Sequence, residues 1–128
     1  MNKMVEHTVM HFEIPANNIK KLSKFYSELF GWQIEKVPSM EYWLILTVPI
    51  DEEGVPLRPG INGAMIKRQK QEQKITNYIS VENLRDYLQK IERLGGKIIS
   101  NIQEVPNIGI YAYISDPEGN IFALWQKI

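Results

Sequence analysis

Two kinds of hydrophobic periodicity follow one another along the chain and predict its elements. Apolar residues three or four positions apart predict two helices, and apolar residues at every second position predict strands. The first helix begins after Asn18, which can cap it, and ends at Gly31. The second begins after Asn83 and ends at Gly95-Gly96. The apolar stripes of the two helices are Ile19, Leu22, Tyr26 and Leu29, and Leu84, Leu88, Ile91 and Leu94.

Strands are predicted on both sides of each helix. They are residues 6–14, 32–37, 42–48 and 61–67 in the first half, and residues 75–81, 97–101, 108–115 and 120–127 in the second. Strands outnumber helices by about three to one in each half, which argues against a doubly wound parallel sheet. The pattern fits two small sheets, each covered by its own helix on one face.

The order of elements is repeated. Asn18 and Asn83 are separated by 65 positions, and so are Gly31 and Gly96. The sequence therefore predicts an α+β fold of two tandem βαβββ modules within a single domain, 1–128. Module one covers about 1–70 and module two about 74–128.

Alternation within the strands separates two faces of each sheet. In the first strand Phe12 and Ile14 point towards the helix, and His11 and Glu13 point away from it. Other aromatic and polar residues are predicted on the face away from the helix: Trp43, Thr76, Tyr78, Tyr111, Tyr113 and Trp125. Leu44 and Leu46 are predicted to pack under the first helix.

The aromatic residues on the second face suggest a binding site. Burying a large apolar side chain is worth roughly 1.5–3 kcal/mol, so several exposed aromatic rings are costly. Two curved mixed sheets that bring these faces together, with the helices outside, would enclose an aromatic-lined cleft with a few polar groups. Small-molecule sites have this character. A solvated face is the alternative, since antiparallel sheets often leave one face in water.

Composition narrows the class of partner. The chain has 128 residues, no cysteine and a formal net charge of zero. It lacks the basic excess that drives nucleic-acid binding and an apolar run long enough to span a bilayer. Without cysteine there is neither a disulfide nor a thiolate metal site. We therefore expect a cytoplasmic protein that binds neither nucleic acid nor membranes.

Several segments resemble landmarks of one family. They are 11–15 (HFEIP), 24–32 (KFYSELFGW), 60–65 (GINGAM), 94–97 (LGGK) and 116–120 (DPEGN). Together they resemble the vicinal-oxygen-chelate (glyoxalase/bleomycin-resistance/dioxygenase) superfamily, in particular its branch of predicted lactoylglutathione-lyase-related proteins. The resemblance covers nearly the whole chain. It implies paired modules around a cleft and a homodimer.

The same resemblance implies where a divalent metal would bind. Metal-using members take one ligand from the first and one from the last strand of each module. The matching positions here are His11, the Gly63-Ala64 region, Thr76 and Ala123. Only His11 is a good ligand, so we expect no metal and no other cofactor. A distorted site that uses His11 and Glu13 is the alternative.

Three functions remain open from the sequence. The first is a glyoxalase/bleomycin-resistance-like protein that binds a small molecule on the aromatic residues named above, with a degenerate metal site. The second is a lyase or isomerase in which Glu13 or His11 is the catalytic base that removes a proton next to a carbonyl. The third is a dimeric regulatory or interaction module whose tyrosines and tryptophans form the interface.

Overall fold

The computed structural model of the protein describes residues 7–128. These residues form two compact units, 11–75 and 76–128, the latter together with residues 7–10. We call the unit of residues 11–75 module one and the other unit module two. Residues 7–10, which the sequence assigned to module one, group with module two, although the strand that they begin continues into module one. The start of the predicted first strand, Glu6, lies outside the described residues. None of the described helices has the length and apolar character needed to cross a membrane.

Module one is a four-stranded mixed sheet with one helix. Its elements are β1 (Val9–Ala16), α1 (Ile19–Phe30), β2 (Gln33–Lys36), β3 (Trp43–Leu46) and β4 (Gly63–Lys67). The strand order is β2-β3-β4-β1, and β4 pairs with β1 in parallel. Helix α1 packs on one face, above a core whose fully or nearly buried members are Ile14, Ala16, Ile45 and Met65.

Module two repeats this plan with an extra strand. Its elements are β5 (Thr76–Ser80), α2 (Leu84–Arg93), β6 (Lys97–Ile98), β7 (Gln103–Val105), β8 (Gly109–Ser115) and β9 (Ile121–Lys127). The strand order is β5-β9-β8-β6, with β7 also paired to β8, and β5 and β9 are parallel. The core beneath α2 consists of Val81, Leu84, Ala112 and Leu124.

The helix ends confirm the predicted caps. The Asn18 side chain accepts a hydrogen bond from the amide of Lys21 at 3.0 Å, and Asn83 accepts one from the amide of Asp86 at 3.2 Å. Gly31 ends α1 with a φ of 73°, in the left-handed region that glycine adopts at low cost. The element order confirms the α+β class and the βαβββ plan of the modules, to which module two adds β7. The arrangement of the modules around a cleft stays a prediction.

The structure corrects two sequence-based expectations. Strand β7, a short and largely exposed segment, was not predicted. The faces of β3 were assigned the wrong way round. Ile45 is fully buried under α1 and Trp43 packs against the same core, whereas Leu44 lies on the opposite face and is 39% exposed. Both faces of this strand are apolar, so alternation alone could not decide between them.

The corrected faces of β3 predict different costs of truncation for adjacent residues. We expect Ile45→Ala to lower the free energy of unfolding by about 2–5 kcal/mol, because it leaves a cavity under α1. Leu44→Ala, the matched control, is expected to cost less than about 1.5 kcal/mol, since much of that side chain is already exposed. Urea denaturation measures both. A larger loss in Leu44→Ala would restore the original face assignment.

Candidate functional site

Four aromatic side chains form a connected cluster on the face of module two that α2 does not cover. They are Tyr78 of β5, Tyr111 and Tyr113 of β8, and Trp125 of β9. Strand register brings them together: Tyr111 is opposite Trp125, and Tyr78 and Tyr113 are both paired with Ala123. Because Ala123 is small, the rings on either side of it meet above it. We call these four residues the aromatic cluster.

Ring contacts join all members of the aromatic cluster. Tyr111 lies at its centre, with ring centroids 5.8 Å from both Tyr78 and Tyr113 and 6.2 Å from Trp125. The planes of Tyr111 and Trp125 are 25° apart, so these two rings are stacked. The arrangement confirms that the predicted residues of module two share one face.

The members of the aromatic cluster differ in exposure. Tyr78 is only 5% exposed, and its hydroxyl lies 3.1 Å from the hydroxyl of Tyr113. Tyr111, Tyr113 and Trp125 are half-buried. Tyr78 therefore lies beneath the other rings, and those three keep part of their surface exposed. Thr76, also predicted for this site, is buried on the same face at the start of β5.

The position of Trp125 depends on a glycine. A Cβ atom at Gly109 would lie 2.4 Å from the indole, closer than real Cβ atoms approach other atoms. The indole therefore lies directly over the backbone of β8, and any side chain at position 109 would displace it. Close packing against this backbone confines the ring.

Module one carries a histidine–tyrosine pair on the face away from α1. His11 Nε2 lies 2.8 Å from the Tyr42 hydroxyl, and the two rings are nearly parallel with their centroids 6.4 Å apart. Burial lowers the pKa of His11 from 6.5 to about 4. The imidazole is therefore neutral at pH 7. It offers one donor and one acceptor, and the tautomer decides which group donates in the pair.

Glu13 follows His11 on the same face and is only 6% exposed. It is paired in register with Ala64 of β4, which is fully buried. The two predicted catalytic residues thus share one face of module one, and the structure adds Tyr42 beside them. Tyr42 was missed because β3 was assigned the wrong face: with Trp43 under the helix, the preceding residue points towards His11.

The residues at the family's metal positions do not form a donor set. Glu13 is opposite Ala64 in module one, and Tyr78 is opposite Ala123 in module two, so the two alanines occupy the same place in their modules. Each alanine stands where a last-strand ligand would be required, and neither has a donor atom. In the described part of the chain no three His, Cys, Asp or Glu side chains come together. The expectation that no metal binds at these positions stays a prediction.

Trp43 lies elsewhere. It was predicted to face the ligand with the aromatic cluster, but it packs on the α1 side of module one. Its position follows from pairing with Met65, a core residue beneath the helix. Lys36 Nζ lies 5.9 Å from the centre of the indole ring. Trp43 is therefore not a member of the aromatic cluster.

Comparisons with known proteins agree with this architecture. The profile of the Glyoxalase/Bleomycin resistance protein/Dioxygenase superfamily matches residues 8–124. A glyoxylase-like domain-containing protein of Didymella fabae is 27% identical, with 97% of this chain and 98% of that protein covered.

Solved structures share the fold at low identity. A hypothetical protein of Bacillus halodurans C-125 is 14% identical, with a TM-score of 0.64 and 95% of both chains covered. Methylmalonyl-CoA epimerase from Mycobacterium tuberculosis is 10% identical, with a TM-score of 0.63 and coverage of 100% of this chain and 93% of that one. At these identities the likeness shows the fold alone.

The lowered pKa of His11 predicts how stability depends on pH. Between pH 6.5 and 4 the unfolded chain binds a proton at His11 that the folded chain does not, so acid favours unfolding. We expect this residue alone to remove up to about 3 kcal/mol as pH falls through that range. Chemical denaturation at several pH values should show a shallower decline in His11→Gln. Equal slopes in the two proteins would contradict the prediction.

Proposed function

This chain belongs to the glyoxalase/bleomycin resistance protein/dioxygenase superfamily, and we propose that it binds a small molecule whose flat part stacks on the aromatic cluster of module two. The observation that carries the proposal is the mutual ring contact of three half-buried side chains, Tyr111, Tyr113 and Trp125, above a buried tyrosine. Stacked and edge-to-face aromatic pairs contribute about 0.5–1.5 kcal/mol each beyond simple burial. A planar ligand gains several such contacts at once.

In this proposal the aromatic cluster is preorganised for ligand binding. The indole of Trp125 is confined over Gly109, and the Tyr78 and Tyr113 hydroxyls are close enough to hydrogen bond. Side chains that are already ordered lose little rotational entropy on binding, which otherwise costs about 0.5–1.5 kcal/mol for each one. The tyrosine hydroxyls supply polar contacts at the edge of the stacking surface.

In our proposal binding takes place without a metal ion. The chelation chemistry that gives the superfamily its alternative name needs ligand side chains on the last strand of each module. Ala64 and Ala123 stand at those places. The ligand is therefore held by ring stacking and hydrogen bonds. Homodimer formation and a cytoplasmic location remain predictions from the sequence.

A second function is favoured by one observation. Glu13 is buried on the same face as the neutral His11, and a carboxylate removed from water can act as the base that abstracts a proton next to a carbonyl. Epimerases are among the structures with this fold. The alternative is thus a metal-independent isomerase or lyase in which Glu13 takes the proton and the His11–Tyr42 pair binds the developing oxyanion.

The stacking proposal predicts selectivity between flat and saturated ligands. We expect 2-naphthol to bind the purified protein more tightly than its saturated analogue decahydro-2-naphthol. Binding should shift the indole N–H signal of Trp125, assigned in NMR spectra from the Trp125→Phe variant. Replacing both Tyr111 and Trp125 with alanine should weaken binding at least about ten-fold, equivalent to 1.4 kcal/mol.

A matched control distinguishes binding at the aromatic cluster from nonspecific binding to any exposed aromatic side chain. Phe25 of α1 is 54% exposed, and Phe25→Ala should leave the affinity unchanged. Unchanged affinity in the Tyr111/Trp125 double variant would contradict the proposal. If the double variant instead converted a dimer into a monomer in sedimentation experiments, the interface function would replace it.

The isomerase alternative predicts exchange of a carbon-bound proton. Incubation with methylmalonyl-CoA in D₂O should introduce deuterium next to the thioester carbonyl, as mass spectrometry can detect. Glu13→Gln combined with His11→Ala should abolish the exchange. Glu35→Gln is the control, because Glu35 is an exposed carboxylate of β2 paired with Leu44 on the same face. Exchange that persists in the double variant would exclude Glu13 as the base.

A further inference from the structure

Module one has an open groove of about 560 Å³ on its α1 side, at the edge where β1, β2 and β4 end and β3 begins. Strand register places its lining residues next to one another, since Ala16 pairs with Lys67 and Lys36 pairs with Trp43. The start of α1 forms the remaining wall. The lining residues are Ala16, Asn17, Asn18, Ile19, Lys36, Glu41, Trp43, Lys67 and Arg68. We call this the α1 groove.

The lining of the α1 groove is positively charged. Lys36, Lys67 and Arg68 face a single carboxylate, Glu41, although the chain as a whole has a formal net charge of zero. The guanidinium of Arg68 is held by backbone carbonyls, among them those of Gln73 and Pro15. The positive charge is thus local, and part of it is fixed in position.

Module two shows what occupies the equivalent place in the other repeat. There the amide of Leu84, the first residue of α2, donates a hydrogen bond of 2.8 Å to Oε1 of Gln126. Gln126 lies three residues after Ala123, as Lys67 lies three residues after Ala64. Since the two alanines occupy the same register position, Lys67 is the counterpart of Gln126.

A lysine at position 67, where module two has Gln126, changes the hydrogen-bonding groups available at the start of α1. The first amides of a helix have no partner inside the helix and need an acceptor from elsewhere. Gln126 supplies one in module two. The ammonium of Lys67, which lines the same groove as Ile19, can accept no hydrogen bond and offers only donors. The first turn of α1 also contains no acidic residue. Module one therefore presents donors and positive charge where module two has its own acceptor.

We propose that the α1 groove binds the oxyanion, phosphate or carboxylate, of a small molecule, which takes the place that the side-chain oxygen of Gln126 fills in module two. Lys67 and Lys36 contribute charge, the amide of Ile19 contributes a directed donor, and Trp43 forms a flat wall. Helix amides and lysines are a recurrent combination for anions. The α1 groove shares no residue with the aromatic cluster, so this inference does not depend on the proposed function.

Glu41 is the intramolecular competitor. Its carboxylate lies 3.2 Å from Lys67 Nζ, and both side chains are more than half exposed. Exposed ion pairs of this kind contribute at most about 1 kcal/mol. A ligand oxyanion that also reaches the helix amide can displace Glu41 at little cost. Removing this carboxylate should therefore strengthen ligand binding.

The test uses phenyl phosphate, inorganic phosphate and benzoate as probes of the full-length protein. Binding should shift the indole N–H signal of Trp43, assigned from Trp43→Phe, and should weaken as salt is added. Benzyl alcohol, which has the ring without the charge, should not bind. Tighter binding of phenyl phosphate than of inorganic phosphate indicates a ring-bearing ligand, and equal binding indicates that free phosphate suffices. No saturable shift with any anion at millimolar concentration would overturn the proposal.

Three variants assign the binding to the α1 groove. Lys67→Gln recreates the arrangement of module two and should abolish anion binding while the protein stays folded. Lys36→Met should weaken it several-fold, and Glu41→Gln should strengthen it by roughly three- to five-fold, the equivalent of the lost ion pair. Lys90→Ala is the matched control, since Lys90 lies 4.7 Å over the ring of Tyr87 in module two. The assignment would be overturned if Lys67→Gln and Lys36→Met bound the anionic probes as tightly as the unmodified chain does.

Discussion

The parallel pairing of the first and last strand in each module is the constraint on which the other features depend. A parallel pair fixes which residues of the two strands share a face, and the helix that follows the first strand covers one of those faces. Glu13 is thereby placed beside Ala64, and Tyr78 beside Ala123. The same register holds in both modules, so each position of these paired strands in one module has a physical counterpart in the other.

The elements that local chemistry specifies were predictable from the sequence. Asn18 and Asn83 cap the helices, and Gly31 ends the first, because side-chain and backbone geometry act over a few residues. Strand β3 was not predictable in the same way. Trp43, Leu44 and Ile45 are all apolar, and only pairing with β4, remote in sequence, decides which of them packs under α1.

The residues of the candidate site could be predicted from the sequence wherever the faces of their strands could be predicted. Strict alternation in β8 and β9 places Tyr111, Tyr113 and Trp125 on one face, and the structure brings their rings into contact. The contact between Tyr42 and His11 needed the correct face of β3, so it appeared only in three dimensions. The confinement of Trp125 over Gly109 is likewise a property of register between strands that no local pattern records.

A duplicated architecture lets each module serve as the reference for the other. Where both modules have the same residue type, as at Ala64 and Ala123, the shared feature reflects what the common fold tolerates. Where they differ in chemistry, the difference needs a cause. Gln126 satisfies a helix amide from within the chain, and Lys67 cannot. The difference between Gln126 and Lys67, together with the cationic lining around Lys67, supports an anionic ligand in the α1 groove.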